Sequence, residues 1–149
     1  MTPDARRALL AMAVFGLCDG MLSIVGCILT ARSQPHLVPW LATVGGIGAG
    51  LSMSLGRYLA EDNDDPIATH AMLGVATLVG TVLPSLPYLA LHGTSAISVT
   101  GAVCLALSSV VAKLRSGGSW KRALFVLGLF AAVFAVTLVC ALLAPTGGA

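Results

Sequence analysis

The chain reads as an all-α, polytopic membrane protein whose 149 residues form a single domain of five transmembrane helices. Three observations predict it. Hydrophobic residues make up 57% of the chain and charged ones 9%, with mean hydropathy +0.95, too little polar surface to coat a soluble globule. The apolar residues fall into five runs, residues 8–31, 37–60, 67–91, 95–112 and 123–144, four of 22–25 residues and one of 18. A helix needs about 20 residues to cross about 30 Å of hydrocarbon. Strand alternation is absent, and the runs leave no room for a soluble domain.

The breaks between runs carry helix-end chemistry. Run 1 follows Thr2-Pro3, a capping side chain before a proline at the first helical position. Arg6 and Arg7 precede it, yet its length and the central Asp19 separate it from a cleaved signal peptide. Run 2 holds two rows of small residues at four-residue spacing, Gly48–Ser52–Gly56 and Gly46–Gly50, which lets helices approach closely in lipid. Run 1 offers Gly16 and Gly20 at the same spacing, beside Asp19. Asp65-Pro66 repeats the cap-and-proline pattern before run 3, with Pro66 expected at the first helical position, and Pro84 and Pro87 predict a bend near its far end. His70 in its first turn is expected to be an interfacial polar residue. Gly117-Gly118-Ser119 turns the chain from run 4 into run 5. Trp40 and Tyr88 fall at one predicted boundary, Tyr58 and Trp120 at the other, as an aromatic belt does.

With the N-terminus in the cytoplasm, Arg6, Arg7, Arg57, Lys113, Arg115, Lys121 and Arg122 lie inside, and of the basic residues only Arg32 lies outside. That bias predicts an N-in, C-out topology, with a bacterial inner membrane as the expected location. The net charge of +2 thus describes orientation in the bilayer, and nucleic acid is not an expected partner. Cys18, Cys27, Cys104 and Cys140 all lie inside the runs without metal or redox spacing, as small packing residues do.

Asp19 is the only charged residue of run 1. A carboxylate at bilayer depth costs about 2.5–3.5 kcal/mol on insertion scales, so its presence points to a functional site. Met53 in run 2 adds a thioether, and a hard oxygen with a soft sulfur suits a transition metal better than Mg²⁺ or Ca²⁺. One chain supplies few ligands; a two-fold dimer through helices 1 and 2 would supply two of each. Glu61, Asp62, Asp64 and Asp65 follow run 2 and could gather cations at a pathway mouth or simply be solvated. Arg57 has two destinations, snorkelling to the interface or reaching inward to neutralise Asp19.

Several segments resemble the vacuolar iron transporter family, including its nodulin-like members that lack a cytoplasmic metal-binding insert. FGLCDGMLSIVG (residues 15–26) is similar to the family's G-x-x-D-G-L segment, and GAGLSMSLGRYLAE (48–61) to its A-G-A-I-S-M-G-L-G-G-Y-L-A-A segment. LPSLPYLAL resembles its proline-bearing third helix, and KLRSGGSWKRALFVLGLFAAVFAVTL its glycine-turn connection into the fifth. The resemblance implies a homodimeric antiporter exporting Fe²⁺ or Mn²⁺ from the cytosol against protons, with Asp19 and Met53 as metal-binding residues and metal as cargo, without a resident cofactor. Where iron-transporting members carry Glu early in helix 2, this chain has Gly45; where bacterial members often carry Glu, it has Arg57. Those two positions motivate the alternative, a non-transporting membrane scaffold of the same fold with a degraded metal site. An enzyme is not expected, because no nucleophile–base pair, H-E-x-x-H or phosphate loop is present in the sequence.

Overall fold

A computed structural model describes residues 3–31, 33–60, 66–116 and nine positions between 120 and 139. Helix α1 spans Pro3–Thr30, α2 Val38–Ala60, α3 Ile67–Val82 and α4 Gly93–Ser116; short 3₁₀ segments at Pro35–Leu37 and Leu83–Leu89 precede α2 and follow α3. Every regular element among the described residues is helical. Among the described residues, four stretches are long and apolar enough to cross a membrane: Ala5–Leu29, Pro35–Ala60, Ile67–Leu89 and Gly93–Lys113. The expected fifth span, 123–144, lies largely outside the described residues; those described between Trp120 and Val139 are helical.

The helix ends follow the sequence with two adjustments. Pro66 has the extended backbone of a cap (φ −58°, ψ 137°), so α3 opens at Ile67, one residue later than expected. The prolines after Val82 do not kink an α-helix. They tighten the chain into a seven-residue 3₁₀ segment, because each removes an amide donor that the α-helical ladder would use. Thr100 then donates to the Pro84 carbonyl at 2.9 Å and ties α4 to this segment. Gly93 opens α4 with φ +63°, a left-handed conformation that costs glycine little.

Helix α3 lies between α1 and α2 and packs on both. Its contacts are backbone on backbone. A Cβ at Gly16 would lie 2.4 Å from the Leu73 carbonyl oxygen, and one at Gly20 would lie 2.2 Å from that of Thr77. On its other side, Gly50 of α2 meets Gly74 of α3 just as closely, a Cβ at Gly50 falling 2.6 Å from the Gly74 oxygen. Without side chains in the way, dispersion contacts and weak Cα–H···O bonds can form along the helices. Ser54 fastens the α2–α3 seam by donating to the His70 carbonyl at 2.8 Å.

Two apolar clusters complete the interior. One, toward the C-terminal end of α1, joins Ile24, Val25 and Ala31 with Val38, Ala42, Tyr88 and Ala96. The other packs Val14 and Met21 of α1 on Val111 of α4. The outward surface is as apolar as the inside: Trp40, Val44, Leu51, Leu55, Leu59 and Leu105 are each at least 60% exposed. Contiguous apolar surface on this scale suits a lipid solvent. Tyr88 departs from the expected aromatic belt, since it is buried and its hydroxyl has no hydrogen-bond partner.

Candidate functional site: a seam between α1 and α2

Asp19 lies roughly 80° around the α1 axis from the glycine face that meets α3. It shares that flank with Met12 and Ser23, next to the exposed Phe15 and Gly26. It is half-buried. Ser23 donates to the Asp19 backbone carbonyl at 3.0 Å, not to its carboxylate, an ordinary one-turn bond of a helical serine. The carboxylate is therefore held at the edge of α1, between the α3 contact and the outside.

Met53 lies on the α2 flank between the α3-facing row, Gly46, Gly50 and Ser54, and the exposed row, Gly45, Gly48, Ser52 and Gly56. Its sulfur faces the Thr77 hydroxyl of α3 at 3.7 Å. Thr77 is fully buried and also donates to the Leu73 carbonyl at 3.0 Å. The Thr77 backbone is the surface on which Gly16 and Gly20 rest. Asp19 and Met53 thus stand on the two walls of one seam, with Thr77 at its floor.

Gly16 lies beside residues 73–77 of α3, and Gly50 lies beside Gly74, so residues 16 and 50 share one level. The α1 chain runs one way and α2 the other, so the Asp19 and Met53 backbones lie on opposite sides of that level, about 9 Å apart along the bundle. Each side chain tilts toward the N-terminus of its own helix, back toward that level.

Arg57 Nη1 donates to the sulfur of Met12, bridging α2 to α1. Met12 lies seven residues before Asp19, about 10 Å along the helix. The guanidinium therefore sits across the seam on the side of the α1 N-terminus, clear of the carboxylate. Glu61, Asp62, Asp64 and Asp65 lie outside the described residues.

Two of the three small-residue rows of helices 1 and 2 serve close packing within the protomer. Within one chain Gly16, Gly20, Gly46 and Gly50 all pack on α3. The signal for this was available in Gly74, Ala76 and Gly80, a third set of small residues in run 3. Gly45, Gly48 and Gly56 have no atom near the position of an added Cβ, and Ser52 is exposed beside them. This second row of α2 is unpartnered among the described residues.

His70 is only 6% exposed, where an interfacial position was expected. Its ring meets Tyr58 edge-on at 5.8 Å, and its Nδ1 has no hydrogen-bond partner. Both line an apolar groove of about 670 Å³ between α2 and α3, with Gly46, Gly50, Gly74 and Leu78. Asp19 and Met53 do not line it. No disulfide joins Cys18, Cys27 and Cys104, while Cys140 lies outside the described residues.

Among the described residues, no three His, Cys, Asp or Glu side chains come close enough to hold a metal. The polar groups of the seam are the Asp19 carboxylate and the Thr77 hydroxyl, with the Met53 sulfur beside the latter. No known family model, curated protein or solved structure matches the chain.

Proposed function

We propose that this chain is an integral membrane transporter for divalent transition-metal cations, Fe²⁺ and Mn²⁺, acting as a homodimer. What supports the proposal is that Asp19 and Met53 lie on flanks of α1 and α2 that both border α3, with the Met53 sulfur against the Thr77 hydroxyl. Two protomers joined along the open α2 row, Gly45–Gly48–Ser52–Gly56, bring two such seams together and double the ligand count. The mixed oxygen and sulfur set favours Fe²⁺ over Mg²⁺ or Ca²⁺. Export from the cytosol in exchange for protons is part of the proposal; Asp19, the one carboxylate within the five apolar runs, is the group able to carry either metal or proton.

The test is growth and uptake. Cells expressing the chain resist excess iron or manganese, and Asp19→Asn abolishes the protection while the protein still reaches the membrane. Proteoliposomes take up Fe²⁺ or Mn²⁺ faster with a pH gradient than without one. Equal protection by Asp19→Asn removes that carboxylate from the mechanism. Absence of metal binding and uptake by the purified protein leaves the fold as a scaffold.

A further inference from the structure

We propose that Thr77 is a cation ligand, its hydroxyl oxygen and the Met53 sulfur forming a pair that grips one transition-metal ion. The proposal rests on the transport reading above and names a ligand that the apolar run 3 conceals.

Thr77 stands where three helices meet. A Cβ at Gly20 of α1 would lie 2.2 Å from the Thr77 carbonyl oxygen and 2.7 Å from the Thr81 nitrogen one turn on. Asp19, the neighbour of Gly20, is therefore within one turn of the Thr77 level. On the other side the Thr77 hydroxyl meets the Met53 sulfur of α2 at 3.7 Å. Thr77 is fully buried and Met53 half-buried, so an ion reaches the pair past the sulfur.

A hydroxyl has one proton and two lone pairs. The Leu73 carbonyl takes that proton at 3.0 Å, because a thioether is the weaker acceptor. The Thr77 oxygen is left with its lone pairs beside a sulfur that also offers lone pairs. Neither atom supplies a proton to the other, and a cation is the species that satisfies both. Donation to the carbonyl also polarises the hydroxyl and makes its oxygen a better electron-pair donor.

The spacing agrees. Bonds of about 2.1 Å to oxygen and about 2.3 Å to sulfur hold two ligand atoms about 3.6 Å apart at a tetrahedral angle and about 3.1 Å apart at a right angle. The observed 3.7 Å matches the first, and the unbranched methionine side chain adjusts readily to the second. The pair is neutral, so it sets ligand type while the Asp19 carboxylate supplies charge. Thr81 is the natural control. It is equally buried and makes the same one-turn bond, at 2.9 Å to the Thr77 carbonyl, but it packs on Gly46, which has no side chain to offer an ion.

Co²⁺ is the probe, because its absorption reports ligand type and geometry. It is titrated into the purified full-length protein in detergent micelles, with helical content and elution volume confirming that each variant is folded. Thr77→Val, close in shape but without the hydroxyl, is expected to raise the half-saturating Co²⁺ concentration about tenfold. Thr77→Ser, which keeps the hydroxyl, and Thr81→Val are expected to stay within about threefold of the parent. Thr77→Cys is expected to add a sulfur-to-cobalt charge-transfer band to the parent spectrum and to shift preference from Mn²⁺ toward Zn²⁺, since a metal-bound thiol ionises and thiolate favours the softer ion. Parent-like binding by Thr77→Val, an equal loss in Thr81→Val, or no new band in Thr77→Cys overturns the proposal; if Asp19→Asn still abolishes binding, the transport reading survives. If Asp19→Asn binds Co²⁺ like the parent, the transport reading fails, and the new band in Thr77→Cys alone upholds the pair. A parent that binds no Co²⁺ refutes both.

Discussion

Replacing Gly20 with alanine tests the architecture that places Asp19. One methyl group is added, and its position is known. It would lie 2.2 Å from the Thr77 carbonyl oxygen, 2.7 Å from the Thr81 nitrogen and 2.8 Å from the Gly80 carbonyl carbon. All three are backbone atoms of α3, so no rotamer change relieves the clash. Restoring ordinary contact separates α1 and α3 by about 1 Å, which forfeits much of the dispersion along the seam. Overpacking of this kind costs about 1–3 kcal/mol, and with three backbone atoms below 3.0 Å the upper end, about 3 kcal/mol, is expected. Gly26→Ala is the control, since an added Cβ there meets nothing within 4 Å; it should shift stability by less than about 1 kcal/mol, on the favourable side. Reversible unfolding in mixed micelles, followed by circular dichroism, measures both. Indistinguishable stabilities for the two variants would refute the α1–α3 backbone contact, and with it the placing of Asp19 one residue away.

Other predictions test neighbouring parts of the argument. Gly56→Leu and Gly48→Leu should leave the stability of the protomer within about 1 kcal/mol, because both glycines are exposed and an added Cβ meets nothing within 4 Å among the described residues, yet convert a dimer to a monomer by mass determination in micelles. A dimer that persists in both variants places the subunit contact elsewhere. Ser54→Ala removes the 2.8 Å bond to the His70 carbonyl and should lower stability by about 1 kcal/mol in the same unfolding experiment. No loss would mean that the α2–α3 seam is held by the Gly50–Gly74 contact alone.

Much of the fold is legible in the residues taken one run at a time. Run length and composition predict five spans, and the four long apolar stretches among the described residues begin and end within a few residues of the first four runs. Cap chemistry is local, so Pro3 opens α1 as expected. Pro84 and Pro87 mark a departure from α-helix, although only the structure shows a 3₁₀ segment instead of a bend. Asp19 and Met53 stand out because a carboxylate and a thioether are read against an apolar background. Thr77, which touches Met53 from α3, does not: a lone threonine in an apolar helix has no pattern of its own.

The sequence by itself determined the helical class, the number of long apolar runs and the residue types available for a polar site, since these follow from composition and period. The tertiary structure decided which faces meet. Gly16, Gly20, Gly46 and Gly50 carry no side chain to distinguish one partner helix from another, and only the assembled bundle assigns all four to α3. Arg57 shows the same division. Its charge is plain in the sequence, but its long flexible stem reaches several targets, and the packing of α1 beside α2 put the sulfur of Met12 within range.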